Sequence, residues 1–376
     1  MPGERERGRA EPRSAGARVT RRIRQAWPKD RDFRILAIDG GGICGIYPAA
    51  VLAGLEARFL GGASVADYFD LIAGTSTGGI IALGLGAGLT AAALRDLYVD
   101  RGGEIFPPCG PGFLGRWRRR WRARRRLVHY IYDQEALARV LKKKLGNRTF
   151  GSSRCRLCIP SFEGGHGEVY IFKTPHHPDF KTDWRETMVK VALATSAAPT
   201  YFRPLRDGGY TFVDGGVWAN NPVMIALVEA LASFDVAREQ IRILSIGCGE
   251  TAYSVAGRKL TSGGMLHWRD IIGAAMRLQS QNAIGQAGLM IGPERLVRLD
   301  LPKDFSNIEL DDWTRAVELL PPAAVVTIDA IGERVAGVFL QERAAQYVAE
   351  TMLDVSLTDE ARQAGCIGEL RQAGGL

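Results

Sequence analysis

DYFDLIAGTSTGGIIALGLGAG, residues 67–88, runs from a short apolar strand through a glycine turn into an apolar helix. Ser76 stands in the frame Gly74-x-Ser76-x-Gly78, the pattern that exposes a nucleophile on a sharp strand-to-helix turn. Glycine is needed on both sides because the elbow is strained and the helix passes close to the strand. The same grammar occurs upstream. FRILAI from Phe33 is an apolar run apart from Arg34, DGGG follows it, and IYPAAVLAGLEARFL then has apolar residues at Ile46, Ala50, Leu52, Leu55 and Phe59 with helical spacing. Two strand–turn–helix units in about fifty residues argue for an α/β fold with a parallel sheet covered by helices, because parallel strands need crossovers of that kind.

A third turn, Asp214-Gly215-Gly216, ends the strand-like GYTFVD. All three turns are expected at the C-terminal ends of parallel strands, where the active sites of open α/β sheets collect. GGGICG, residues 40–45, also satisfies a dinucleotide fingerprint. That reading lacks its acidic partner, since Glu56 lies inside the helix and Asp67 precedes the next strand. Consecutive glycines suit an oxyanion hole instead, with backbone N–H groups converging beside a helix N-terminus.

Charge is local. The net charge is +8, yet residues 1–34 carry eleven Lys or Arg against five acids, and RWRRRWRARRR at 116–126 carries eight arginines and no acid, so the rest of the chain is acidic by about six charges. Residues 1–32 read as a basic disordered arm with no apolar signal region. Residues 109–127 read as an Arg-rich insertion, in which Trp117 and Trp121 are four apart and, with Arg118 and Arg122 beside them, suit a contact with anionic lipid. Beyond residue 250 the chain turns mostly helical to residue 376, with LVRLDL as one more candidate strand. No uninterrupted apolar run reaches 18 residues, so no helix is expected to span a membrane, and a cytoplasmic location is expected. Six dispersed cysteines fit a reducing compartment, and the C-x-x-C of Cys155 and Cys158 has no second pair to hold zinc; no metal site is expected.

A serine nucleophile ordinarily needs a histidine. Of the five present (His129, His166, His176, His177, His267) only His267 follows Asp214 in the Ser, acid, His order of α/β-hydrolases. A soluble esterase with a Ser76–Asp214–His267 triad therefore stays open, as does a non-catalytic nucleotide sensor or membrane scaffold.

DGGGICGIYP, AGTSTGG, ATSAAPTYF and DGGVWANNP resemble, in order and spacing, the four signature blocks of the patatin-like phospholipases. The resemblance covers roughly residues 33–250 and implies a three-layer α/β/α fold with a mainly parallel central sheet; the mostly helical C-terminal extension 251–376 is expected to pack on or regulate that domain. It implies a Ser–Asp dyad without histidine: Ser76 as nucleophile, Asp214 as general base, Gly215 and Gly216 as the base turn, and Gly40, Gly41, Gly42 and Gly45 as the oxyanion turn. No cofactor is implied for the chemistry. Length and the C-terminal extension are similar to bacterial patatin-like phospholipases of antiphage signalling, in which a cyclic dinucleotide such as cGAMP switches on degradation of the cell's own membrane. The implied partners are a phospholipid surface at the inner face of the membrane and a cyclic dinucleotide, with no DNA or RNA; oligomeric state is not readable.

Overall fold

The computed structural model describes residues 22–108, 110, 113, 117, 121, 129–249, 271–305, 308–345 and 347–349. Its strands are β1 (Phe33–Ile38), β2 (Leu71–Gly74), β3 (Leu157–Glu163), β4 (Glu168–Lys173), β5 (Leu205–Asp207), β6 (Tyr210–Asp214), β7 (Ile241–Ile246) and β8 (Leu296–Leu299). Its helices are α1 (Ile46–Phe59), α2 (Thr77–Gly86), α3 (Ala91–Ile105), α4 (Gln134–Leu145), α5 (Met188–Thr195), the single turn α6 (Gly216–Ala219), α7 (Val223–Ser233), α8 (Ile271–Ile291) and α9 (Trp313–Phe339).

One mixed sheet organises them, in the order β5-β6-β3-β2-β1-β7-β8, with β4 also on β3. The apolar run of β1 follows from its position. Leu36 and Ile38 point into one core with α1, α2, α5 and α9, while Phe33, Ile35 and Ala37 point into a second with Trp27, α7 and α8. A strand covered on both faces has no polar side to show, which gives the three-layer α/β/α architecture.

Two expectations change. Residues 22–32 belong to the domain rather than to a disordered arm: Trp27 is buried against Phe33 and Phe234, and Arg22 pairs with Glu229 at 3.0 Å. Past residue 250 the described residues continue the same sheet and core. β8 pairs in parallel with β7, and Ala316, Leu320, Val335 and Phe339 of α9 lie in the same core as α1. Lastly, β6 is antiparallel to β3, so Asp214 does not end a parallel strand.

That reversal places the site. Cys158 has Ala73 on one side and Lys173 on the other, and Ser161 has Asp214 on one side and Tyr170 on the other. Since β4 occupies one edge of β3 throughout, β2 and β6 share the opposite edge and approach each other end to end. The β5–β6 hairpin turns through Gly208 and Gly209, both at positive φ (58° and 88°), the two-residue turn whose twist suits antiparallel strands. Asp214 at the end of β6 is thereby delivered to Ser76 just past the end of β2.

Candidate active site

Ser76 has φ 54° and ψ −118°, a conformation that costs a non-glycine residue about 1–3 kcal/mol. The elbow closes because its flanks lack side chains. A Cβ on Gly74 would stand 2.1 Å from the Gly78 carbonyl oxygen, and one on Gly78 2.3 Å from that of Ile38. Ser76 is 9% exposed, and its hydroxyl donates to Asp214 Oδ2 at 2.6 Å. Asp214 Oδ1 accepts the Gly216 N–H at 2.6 Å. Burial pushes the Asp214 carboxyl up from 3.8 to about 6, against the opposing pull of those two donors.

The direct contact leaves no room for an imidazole between hydroxyl and carboxylate. The four described histidines are engaged elsewhere or exposed. His166 bonds Glu163, His176 lies between Thr174 and Glu229, His177 contacts the Ile23 carbonyl, and His129 is exposed. His267 lies outside the described residues, as do Arg118 and Arg122. Cys158, His176 and Glu229 do gather three metal-ligating atoms within 4.8 Å. Burial raises the Glu229 pKa, but His176, Lys173 and Arg22 together hold it far below the usual carboxylate range, so its charge is already spent on cations. That donor set suits a buried ion-pair cluster better than a metal.

The oxyanion turn needs one correction. The Gly40 N–H donates to the Asn220 carbonyl at 3.0 Å and is not available to a substrate. Among the described residues, no acceptor engages the N–H of Gly41 or of Gly42. Gly42 takes φ 56° with the Leu310 carbonyl 2.4 Å from where a Cβ would sit, so the turn requires glycine there. Gly45 ends the short 3-10 turn Gly42–Gly45, and a Cβ on it would lie 2.1 Å from Thr77 Oγ1; its part is close packing. Gly215 and Gly216 start α6 beside Asp214.

Two supports had no role in the sequence reading. Thr195 Oγ1 accepts the Ser76 N–H at 3.0 Å and donates to the Pro160 carbonyl at 2.6 Å; the carbonyls of Thr195 and Ala197 accept the N–H groups of Gly215 and Asp214. The ATSAAP block thus holds both halves of the dyad, and its presence among the four motifs was the available signal. Arg298 of β8 grips Asp39 in two bonds, at 3.0 and 2.7 Å, and also binds Asp300. Burial works against the Arg298 charge, but the two carboxylates more than offset it and raise its pKa. Asp39 precedes the oxyanion turn, so this bidentate pair anchors the end of β1.

Trp117 and Trp121 are helical and exposed (58% and 48%), as is Phe113 (74%), the three spaced by four residues and so along one side of a helix. The roots of this insertion are fixed beside the site. Phe106 and Tyr132 pack edge to face at 5.1 Å, Tyr132 donates to Asp311, and the adjacent Leu310 carbonyl accepts the Ile43 N–H. No helix among the described residues is long and apolar enough to cross a membrane.

A family model described as "Patatin-like phospholipase" matches residues 36–227. A cGAMP-activated phospholipase of Vibrio cholerae is 40% identical over 241 residues, 60% of this chain and 67% of the relative. One from Escherichia coli strain TW11681 is 37% identical over 239 residues, 59% of this chain and 64% of the relative. Another from Pseudomonas aeruginosa is 35% identical over 262 residues, 68% of this chain and 75% of the relative. Against the second of these, the matched part of the chain spans less than two thirds of the relative's length.

Proposed function

The chain belongs to the patatin-like phospholipase family, and on that footing we propose that it is a serine hydrolase that cleaves fatty acyl esters of membrane phospholipids with Ser76 and Asp214. The observation that carries the reading is the 2.6 Å contact between Ser76 Oγ and Asp214 Oδ2. Asp214 takes the hydroxyl proton as Oγ attacks the ester carbonyl, and the N–H groups of Gly41 and Gly42 receive the charge that develops on the carbonyl oxygen. Each well-placed donor of this kind is worth on the order of 10²–10³-fold in rate. Collapse of the tetrahedral adduct expels the lysolipid alkoxide, which takes the proton back from Asp214, leaving the acyl group on Ser76. Water then attacks, Asp214 accepts its proton, and the fatty acid leaves as Ser76 is restored. A carboxyl titrating near 6 is a better base than an ordinary aspartate and is still mostly ionised at neutral pH.

Activation by a cyclic dinucleotide is proposed by analogy with the three relatives named as cGAMP-activated phospholipases; action in antiphage defence at the inner face of the membrane is the further proposal that the family resemblance suggests. The test is a phospholipid-vesicle assay run with a panel of cyclic dinucleotides. Acyl release is expected to rise with one of them, cGAMP first; a flat response to all would remove the switch and leave the hydrolase standing.

The exposed aromatic side of the insertion is proposed to contact the lipid surface, with the surrounding arginines supplying attraction to anionic headgroups. Trp117→Ala with Trp121→Ala is expected to weaken binding to anionic vesicles about tenfold and to leave hydrolysis of a soluble monomeric ester unchanged. Vesicle binding equal to wild type would remove this role.

A further inference from the structure

Helix α8 reaches the site from outside the block that the family model matches, and it makes polar contacts there through Gln279 and Ser280. Gln279 Oε1 accepts the Asn221 N–H at 3.1 Å, and Gln279 Nε2 donates to the Asn221 carbonyl at 3.3 Å. One side-chain amide therefore serves both backbone groups of a residue, as a neighbouring strand would. One turn-step on, Ser280 Oγ accepts from Asn220 Nδ2 at 3.4 Å, and the Met276 methyl lies 3.1 Å from the Cβ position of Gly216.

The Asn221 N–H belongs to the same peptide unit as the Asn220 carbonyl, and that carbonyl holds the Gly40 N–H at 3.0 Å. A trans peptide carries these two groups on opposite sides. The 220–221 peptide is thus fixed from one side by Gln279 and from the other fixes the first residue of the oxyanion turn. If the plane tilts, Gly40 follows, and with it the direction of the next two N–H groups.

We propose that Gln279 is a positioning residue of the hydrolase, which sets the aim of the Gly41 and Gly42 N–H groups through the Asn220–Asn221 peptide. The proposal rests on the Ser76–Asp214 reading given above. Preorganised donors act at 2.7–3.1 Å from the oxyanion, and a displacement of about 1 Å costs about 10²-fold. The bond that matters is the one from the Asn221 N–H to Oε1, because it bears on the peptide that holds Gly40.

Gln279→Met preserves length and packing without an amide, and Gln279→Glu keeps an acceptor for the Asn221 N–H. Both are assayed on a soluble short-chain p-nitrophenyl ester, with any activating nucleotide present. For Gln279→Met, kcat is expected to fall about 10- to 100-fold, KM to stay within about twofold, and labelling of Ser76 by a fluorophosphonate to slow in parallel. Gln279→Glu is expected to retain kcat within about fivefold of wild type. An unchanged kcat in Gln279→Met, an equal loss in both variants, or a loss that matches the unfolded fraction at the assay temperature would each overturn the proposal. A wild-type chain that neither turns over the ester nor takes the label would instead sink the hydrolase reading itself.

Discussion

Ser76→Ala is expected to abolish acyl release, with kcat lower by on the order of 10⁴-fold or more, while the fold stays intact. The hydroxyl oxygen lies 2.6 Å from the buried base, and the alanine methyl fills nearly the same space. The oxyanion N–H groups survive the change, so any residual rate would report their contribution together with substrate binding. Acyl release from phospholipid vesicles by purified wild type and variant measures it. A variant retaining even a tenth of wild-type activity would rule out the dyad and every serine mechanism at this site. A companion substitution separates chemistry from strain. Ser76→Gly also loses the hydroxyl but accepts φ 54° freely, and it is expected to raise stability by about 1 kcal/mol over Ser76→Ala.

The second large effect belongs to Asp214. Asp214→Asn is expected to lower kcat/KM by about 10³-fold, the usual worth of a positioned base. Wild-type kcat/KM should rise with pH through a midpoint near the carboxyl's value of about 6 and level off above it, since the base acts only when ionised. Stability should move the opposite way. Burial gives the folded chain the higher affinity for this proton, so the contribution of Asp214 is fully present below its unfolded value, about 4, and is lost as pH rises through about 6. Two units of difference correspond to about 3 kcal/mol. Asparagine removes the titration, so the variant is expected to melt higher than wild type at pH 8 and to lose that advantage near pH 4. Equal melting temperatures at pH 8 would mean that burial exacts no cost from the ionised aspartate.

Much of this site was legible in the sequence because glycine turns write constraints locally. Ser76 declares itself through Gly74 and Gly78, and the continuous apolar run Ile35–Ile38 declares a strand covered on both faces. Asp214 was legible as a residue but its strand direction was not. YTFVD reads alike whichever way it runs, and the end-to-end meeting with β2 depends on β3 being long enough to have both on one edge. The commitment of the Gly40 N–H was hidden too, since its partner is a backbone carbonyl 180 residues away. Arg298 and Gln279 carry no local signature, because each acts across a gap that only the folded chain closes. Trp27 was misjudged for the opposite reason: the charge around it outweighed, in composition, one aromatic side chain that finds Phe33 and Phe234.

The meeting of β6 with the end of β2 makes the chemistry a question of parity. Side chains on a strand alternate between faces, so Phe212 and Asp214 share one side and Val213 takes the other. A slip of one residue at the Gly208–Gly209 hairpin would give the serine a valine or a glycine for a neighbour, and would at the same time turn Phe212 out of the core. The catalytic pair is therefore guarded by counting as much as by any bond to the carboxylate, because the register that buries Phe212 is the one that presents Asp214 to Ser76.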